Sequence, residues 1–226
     1  MSELNPDCHN FIGPYPCCSI ITGDSKVLAP AIPDESVDLI FTDPVYDRIE
    51  DYRWLAETAS RMLKDDRYCL VHYGIGYLPE VTAALSKFLA YEWHHVLYMP
   101  TLNARGAYRT FSNYRGLLRY RKGTARPSRH MRDLHIDSYL PKNDGHQWAK
   151  NLDIVVEFMD VFSKKNGVVV DFFAGQGAIL GGCRMLGRHY LAFEIDPDVA
   201  ERARERVFNT QTPLTNFVMP EQPQLM

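Results

Sequence analysis

The chain has 226 residues, a formal charge of −3, 46% hydrophobic and 12% aromatic residues. Such a length makes one domain, or one domain with a modest insertion, and that apolar content with low net charge excludes a mainly disordered polymer. No stretch approaches the roughly 18 uninterrupted apolar residues of a membrane span, and five irregularly spaced cysteines make no disulfide framework.

Residues 1–18 carry Pro6, Pro14 and Pro16 and show no periodicity, so they read as an irregular arm. The start, MSELNPDCHN, lacks the basic-then-apolar layout of a signal peptide, and a cytoplasmic address is the expectation. A short β-branched run, Ser19–Thr22, ends at Gly23-Asp24, and Ser36–Thr42 reads as a buried strand stopping at Asp43-Pro44. Helical spacing follows over 50–64, a strand at Tyr68–Tyr73, and a helix at Leu78–Leu89 with Pro79 in its first turn. Trp93–Met99 and Leu117–Arg121 are candidate strands.

Asn151–Ser163 is a helix with one apolar side, Val168–Phe172 a strongly apolar strand, and Ala178–Leu186 a short helix weakened by Gly181 and Gly182. His189–Ile195 is a strand, and Asp196-Pro197 opens a last helix to about Phe208. From residue 209 the chain is rich in Pro, Gln and Thr and reads as an extended or disordered tail. Strands alternating with helices predict an α/β domain over 19–208 with a doubly wound, mainly parallel sheet.

The charge is uneven. Between Leu102 and His135 stand Arg105, Arg109, Arg115, Arg119, Arg121, Lys122, Arg126, Arg129 and Arg132 against the single acid Asp133, while the rest of the chain is acidic. Tyr108, Phe111, Tyr114 and Tyr120 are interleaved with them. Guanidinium groups among aromatic faces suit a polyanion whose bases can stack, so these nine cations are the candidate nucleic-acid contacts. A solvated basic loop serving solubility is the plainer alternative.

Two motifs carry chemistry. In the first, Asp171-Phe172-Phe173-Ala174-Gly175-Gln176-Gly177-Ala178 joins a strand to a helix through a glycine turn, which brings backbone close to a nucleotide-like ligand. The spacing is not that of a dinucleotide fingerprint, since Leu180 stands where a third glycine would. Asp171 would repel a pyrophosphate but attract a cationic amine, so S-adenosylmethionine (AdoMet) fits better than NAD. Glu194, seventeen residues after Gly177, is placed at the end of a strand to accept hydrogen bonds from ribose hydroxyls.

In the second, Thr42-Asp43-Pro44-Val45-Tyr46 leaves a buried strand at the carboxyl edge of the sheet. An exocyclic amine must be drawn toward tetrahedral geometry before it can attack a methyl donor. Asp43 and the Pro44 carbonyl are two acceptors for its N–H bonds, and Tyr46 offers a face for an extruded base. By itself, Asp-Pro after a strand also makes an ordinary turn.

With these residues in this order, the chain resembles the permuted beta-group DNA amino-methyltransferases, which methylate adenine N6 or cytosine N4. Asp43–Tyr46 stands where that family has its [DS]PP[YFW] turn, Asp171–Gly177 is similar to its DPFAGSG loop, and 102–145 falls at its target-recognition region, expected here as a small basic insertion in the fold. The resemblance implies that Asp24 of Thr22-Gly23-Asp24 faces the cofactor adenine, and that Lys150 of His146-Gln147-Trp148-Ala149-Lys150 partners its carboxylate. It further implies that Phe173 packs on the cofactor, with Asp171, Ala174, Gly175, Gln176 and Gly177 around it and Glu194 on the ribose. Val45, Phe172 and Asn151 depart from the family's prolines.

The expectation is thus an AdoMet-dependent methyltransferase of double-stranded DNA that flips its base, adenine N6 first because Asp opens the turn. The family's usual setting is restriction-modification. No metal and no membrane are expected, and homodimerisation stays open. Cytosine N4 and RNA are alternatives within the class; a catalytically silent nucleic-acid-binding protein of the same fold is the alternative outside it. Cys8-His9 and Cys17-Cys18 have poor spacing for zinc, and His94-His95 on a strand would point to opposite faces.

Overall fold

The computed structural model describes residues 11–105, 110–137 and 152–210, with the backbone alone for 100–105. The strands are β1 (Phe11–Ile12), β2 (Tyr15–Pro16), β3 (Ser19–Thr22), β4 (Val37–Thr42), β5 (Leu63–Tyr73), β6 (Ala90–Arg105), β7 (Thr110–Lys122), β8 (Leu134–Ile136), β9 (Val168–Asp171) and β10 (His189–Glu194). The helices are α1 (Ser25–Leu28), α2 (Ile49–Met62), α3 (Leu78–Leu85), α4 (Leu152–Phe162), α5 (Ala178–Leu186) and α6 (Pro197–Asn209). Eight strands form one sheet in the order β3-β10-β9-β4-β5-β7-β6-β8. All its pairings are parallel except the two made by β7, which runs antiparallel between β5 and β6.

Every residue of β4 is buried, as a strand covered on both faces requires. Its Leu39 and Phe41 enter the core shared with Phe158, Met159 and Leu180, whereas Ile40 enters the core shared with Tyr52, Leu55 and Val81. Period-two alternation along one strand therefore feeds two cores, with α4, α5 and α6 on one face of the sheet and α2 and α3 on the other. The doubly wound, mainly parallel architecture read from the sequence is what the chain adopts.

Three segments differ from their sequence reading. The arm is ordered over 11–16 as a two-stranded hairpin, β1 with β2. Gly13 turns it at φ +60°, where a Cβ would lie 2.3 Å from the Ala31 carbonyl oxygen. Tyr15 then ties the hairpin down, its hydroxyl donating to the Leu28 carbonyl at 2.8 Å. The basic region lies partly within the sheet, and its residues 106–109 and 138–145 lie outside the described residues. Its two candidate strands are the long antiparallel pair β6 and β7, which extends the central sheet, and the unforeseen β8 closes that edge. Last, the glycines of α5 are a packing surface: a Cβ on Gly182 would stand 3.0 Å from Val155 and 3.3 Å from the Met159 sulfur, so their absence of side chain lets α4 approach. The tail expected from residue 209 lies outside the described residues beyond 210.

At the amino ends of the strands, far from any ligand crevice, Asp38 joins three elements. Its carboxylate accepts from Lys64 Nζ at 2.7 Å, Arg67 Nε at 3.0 Å and the Val168 backbone N–H at 3.0 Å. Burial alone would raise its pKa, but these three donors outweigh it and hold the group below its ordinary value. A depressed folded-state pKa contributes stability that is complete above the ordinary carboxylate range and is lost as pH falls through the lowered value. Asp38→Asn is expected to cost about 1–3 kcal/mol at neutral pH, and the deficit should shrink below about pH 4; urea melts at pH 7 and pH 3 measure both.

Candidate cofactor and base-binding site

A parallel sheet presents a crevice where neighbouring strands send their connections in opposite directions. Here that point lies between β9 and β4. β4 pairs with β9 only at Leu39–Val169 and Ile40–Val170, while it stays with β5 as far as Thr42–Val71. Beyond Ile40 the two strands part, and both motifs of the sequence emerge there.

On the β9 side, the chain turns through Phe172–Gly177 into α5. Gly175 and Gly177 have φ of +50° and +74°, the left-handed region that favours glycine. A Cβ on Gly177 would lie 2.9 Å from Val207 of α6, whereas on Gly175 the nearest atom would be 4.0 Å away. A side chain at the first glycine would thus meet open space, and the second is packed. Glu194, ending β10, accepts the Gly175 N–H on Oε2 at 2.8 Å and the Asp196 N–H on Oε1 at 3.0 Å. Each oxygen keeps a further lone pair for a hydroxyl.

The cleft is lined by Gly23, Asp24, Phe173 and Glu194 together with Val45 and Arg48. Asp24 caps α1 by accepting the Lys26 N–H at 2.8 Å. Phe173 meets Trp54 edge-on at 6.4 Å, and Trp54 also meets the buried Phe172 at 5.1 Å. Ala174 donates to the Phe193 carbonyl at 2.9 Å, and the Gln176 amide oxygen accepts from Arg206 at 3.4 Å.

Asp171 departs from its expected place. It is 1% exposed, and its Oδ1 accepts from the Thr42 hydroxyl at 2.8 Å and from the Phe173 N–H at 3.1 Å. The carboxylate is turned into the protein, so it shapes the loop instead of meeting a ligand amine directly.

On the β4 side, Asp43 is half-buried, Pro44 buried, and Val45 exposed. Tyr46 seats its Cβ where a side chain on Gly74 would be, 2.7 Å from that imaginary Cβ, beside Tyr77. Tyr52 of α2 lies beneath, its hydroxyl donating to the His72 carbonyl at 3.2 Å. Its pKa is pushed far up by burial first and then by the charges of Asp43, Tyr46 and Asp51, which places the turn's acid and phenol in one neighbourhood. The two motifs, more than a hundred residues apart in sequence, border one cleft.

Lys26, Arg48, Asp51 and Trp54 also line or back this cleft, and no motif in the sequence singled them out. Lys26 Nζ pairs with Asp51 Oδ1 at 2.5 Å. Only the fold brings α1 against α2.

The basic strand residues are largely engaged. Arg119 lies 2.8 Å from Glu92 and 5.0 Å above the Phe162 ring with 12% of its side chain exposed, so it braces the sheet and is no surface contact. Arg121 also faces Glu92, at 3.7 Å; Lys122 faces Glu35 at 3.2 Å and Asp65 at 3.7 Å. Arg115 is 3.5 Å from Asp137, and Arg129 is 3.5 Å from Asp160. Arg126 and Arg132 are exposed. Arg105 is described in backbone only, and Arg109, Lys150 and the His146–Lys150 motif lie outside the described residues.

The histidines separate as expected. His94 Nε2 meets the Tyr73 hydroxyl at 2.9 Å. His95 packs at 4.9 Å on Phe158 on the opposite face, and its pKa falls to about 3, through burial first and then through Arg119 and His135. Cys17 Sγ stands 3.2 Å from His189 Nδ1 and 3.6 Å from Cys18 Sγ, at the amino end of β10 and so at the opposite edge from the cleft.

Comparison with known proteins agrees with this geometry. Residues 108–205 match the family model N6_N4_Mtase, described as DNA methylase. The Escherichia coli (strain K12) protein named "Putative methylase YubD" is 23% identical over 208 residues, 84% of this chain and 90% of that protein. The M1.HpyAVI–SAM complex superposes with a TM-score of 0.71 and 17% identity, covering 84% of this chain and 98% of that one. PvuII DNA methyltransferase, described as cytosine-N4-specific, superposes with a TM-score of 0.72 and 13% identity, covering 86% and 93%. At these identities the superpositions speak for the fold.

Proposed function

We propose that the chain, whose residues 108–205 match the family model described as DNA methylase, moves a methyl group from AdoMet to adenine N6 of double-stranded DNA. The observation that carries the reading is the shared cleft, which Val45 of the Asp43–Tyr46 turn lines together with Phe173 of the glycine loop and Glu194 at the end of β10.

The residues present fit the cofactor. Glu194, aimed by two backbone N–H groups, is the acceptor for ribose hydroxyls; Phe173 gives an apolar face; the open side of Gly175 allows close approach. Lys26 and Arg48 supply cationic groups on the cleft wall for its carboxylate, a role the resemblance also assigns to Lys150. AdoMet when bound supplies a methyl carbon made electrophilic by its sulfonium.

The Asp43 carboxylate and the Pro44 carbonyl accept the two N–H bonds of the target amine, drawing its lone pair out of the ring. Tyr46, braced on Gly74, stacks on the flipped base. With AdoMet bound, the N–C bond would form as the methyl carbon left its sulfur, and the Asp43 carboxylate would stabilise the positive charge developing on the amine nitrogen. The surplus proton then leaves to solvent. The likeness to a protein described as cytosine-N4-specific keeps cytosine N4 as the second reading, and Asp at the head of the turn favours adenine by family resemblance.

Nucleoside mass spectrometry on DNA from cells expressing the chain tests this. N6-methyladenine is expected, and Asp43→Asn should lower it by at least roughly a hundredfold, the scale of removing one group that stabilises transition-state charge. N4-methylcytosine would select the second reading, and no modified base, with no AdoMet binding in a titration, would overturn both.

DNA binding falls to the exposed cations Arg126 and Arg132. Replacing Arg126 and Arg132 with Ala is expected to reduce the log–log salt slope of duplex binding by about 0.9 for each phosphate no longer neutralised. Arg119→Ala should leave that slope unchanged while lowering thermal stability, because Arg119 serves Glu92 and Phe162. Filter binding across a salt series together with a melting curve separates the two classes.

A further inference from the structure

Thr42 is the residue just before the proposed amine-gripping turn and is fully buried. Its hydroxyl donates to Asp171 Oδ1 at 2.8 Å and accepts the Phe172 backbone N–H at 3.2 Å. The same Asp171 oxygen accepts the Phe173 N–H at 3.1 Å. These bonds stand where the β4–β9 ladder has already ended at Ile40–Val170. One side-chain hydroxyl therefore does across the opening crevice what backbone pairing does deeper in the sheet.

The consequence is geometric. Asp43 follows Thr42 directly, and Phe173 lines the cofactor side of the cleft. The Thr42–Asp171 bridge is thus a short route by which the spacing between the two half-sites is set. We infer that Thr42 is a positioning residue for methyl transfer: it fixes the separation of the Asp43–Tyr46 turn from the glycine loop without touching base or cofactor. The inference rests on the reading of the cleft proposed above. Displacing a reacting group by about 1 Å can cost a hundredfold in rate, whereas a loop still supported by Glu194 should keep its affinity for cofactor.

The test uses the full chain, AdoMet labelled in its methyl group, and long unmethylated duplex DNA. Thr42→Val keeps the shape and removes the hydroxyl. Its single-turnover transfer rate at saturating AdoMet should fall roughly ten- to hundredfold, with the AdoMet dissociation constant from calorimetry changed less than about threefold. Thr42→Ser, which restores the hydroxyl, should recover most of the rate, an outcome that a fall in stability alone does not predict. Thr42→Cys, isosteric with Ser and a weak donor, is read the same way if the valine variant does not fold. A valine or cysteine variant as fast as wild type, or one whose affinity falls as far as its rate, overturns the inference while leaving the cleft's function standing. A wild-type chain that neither binds AdoMet nor transfers methyl overturns the cleft reading and this inference with it.

Discussion

The parting of β4 from β9 is the constraint from which the rest of the site follows. Parallel strands end with their carboxyl termini aligned, so the connections that leave them in opposite directions must open a gap. In this chain the gap is bounded by residues that cannot drift independently. β9 is held by β10 as far as Asp171–Ala192, and β4 by β5 as far as Thr42–Val71. Both walls are buried strands with apolar cores on either face, which makes the crevice rigid at its base and leaves only its rim to loops.

The rim is stiffened by polar contacts of long sequence separation. Glu194 closes the glycine loop through Gly175, Thr42 ties β4 to Asp171, and the Gly23 N–H donates to the Glu194 carbonyl at 2.8 Å. Glu194 and Asp171 are thereby already oriented by the protein. In the reaction proposed above, preorganisation of this kind would place acceptors where charge develops without reorganisation at the moment of reaction. It also explains why Asp171 serves the chain best when buried: a carboxylate satisfied by Thr42 and the Phe173 N–H is a joint, and the more accessible acids Asp24 and Glu194 are left to face the cleft.

Much of this was legible in the sequence because its signals are local. A strand, a glycine turn and a helix start announce themselves within ten residues, as does Asp-Pro after an apolar run, and Asp196 does cap α6 with bonds to the Asp198 and Val199 N–H groups. What stayed hidden depends on pairings the sequence does not encode nearby. Lys26 finds Asp51 only after α1 and α2 meet. The arginines of β7 look like a free basic surface in one dimension, yet Glu92, at a register shift of the neighbouring strand β6, stands opposite two of them. A count of charges along a segment cannot see acids supplied from across a sheet, so the basic patch shrinks when the strands pair.

Val45 shows how a departure from the family's pattern can be absorbed. A proline there would fix φ and stiffen the turn from within. Valine lacks that constraint, but the turn is held from outside it. The Val45 carbonyl accepts the Arg48 N–H at 3.2 Å, closing the loop onto the start of α2. On its other flank Tyr46 is pressed into the space that Gly74 leaves vacant at the end of β5. Aim at the Pro44 carbonyl then comes from strand β4 before it and from these two anchors after it. Local stiffness and tertiary bracing are alternative ways to limit the same backbone freedom, and in this turn the bracing comes from the Arg48 N–H and the space left by Gly74.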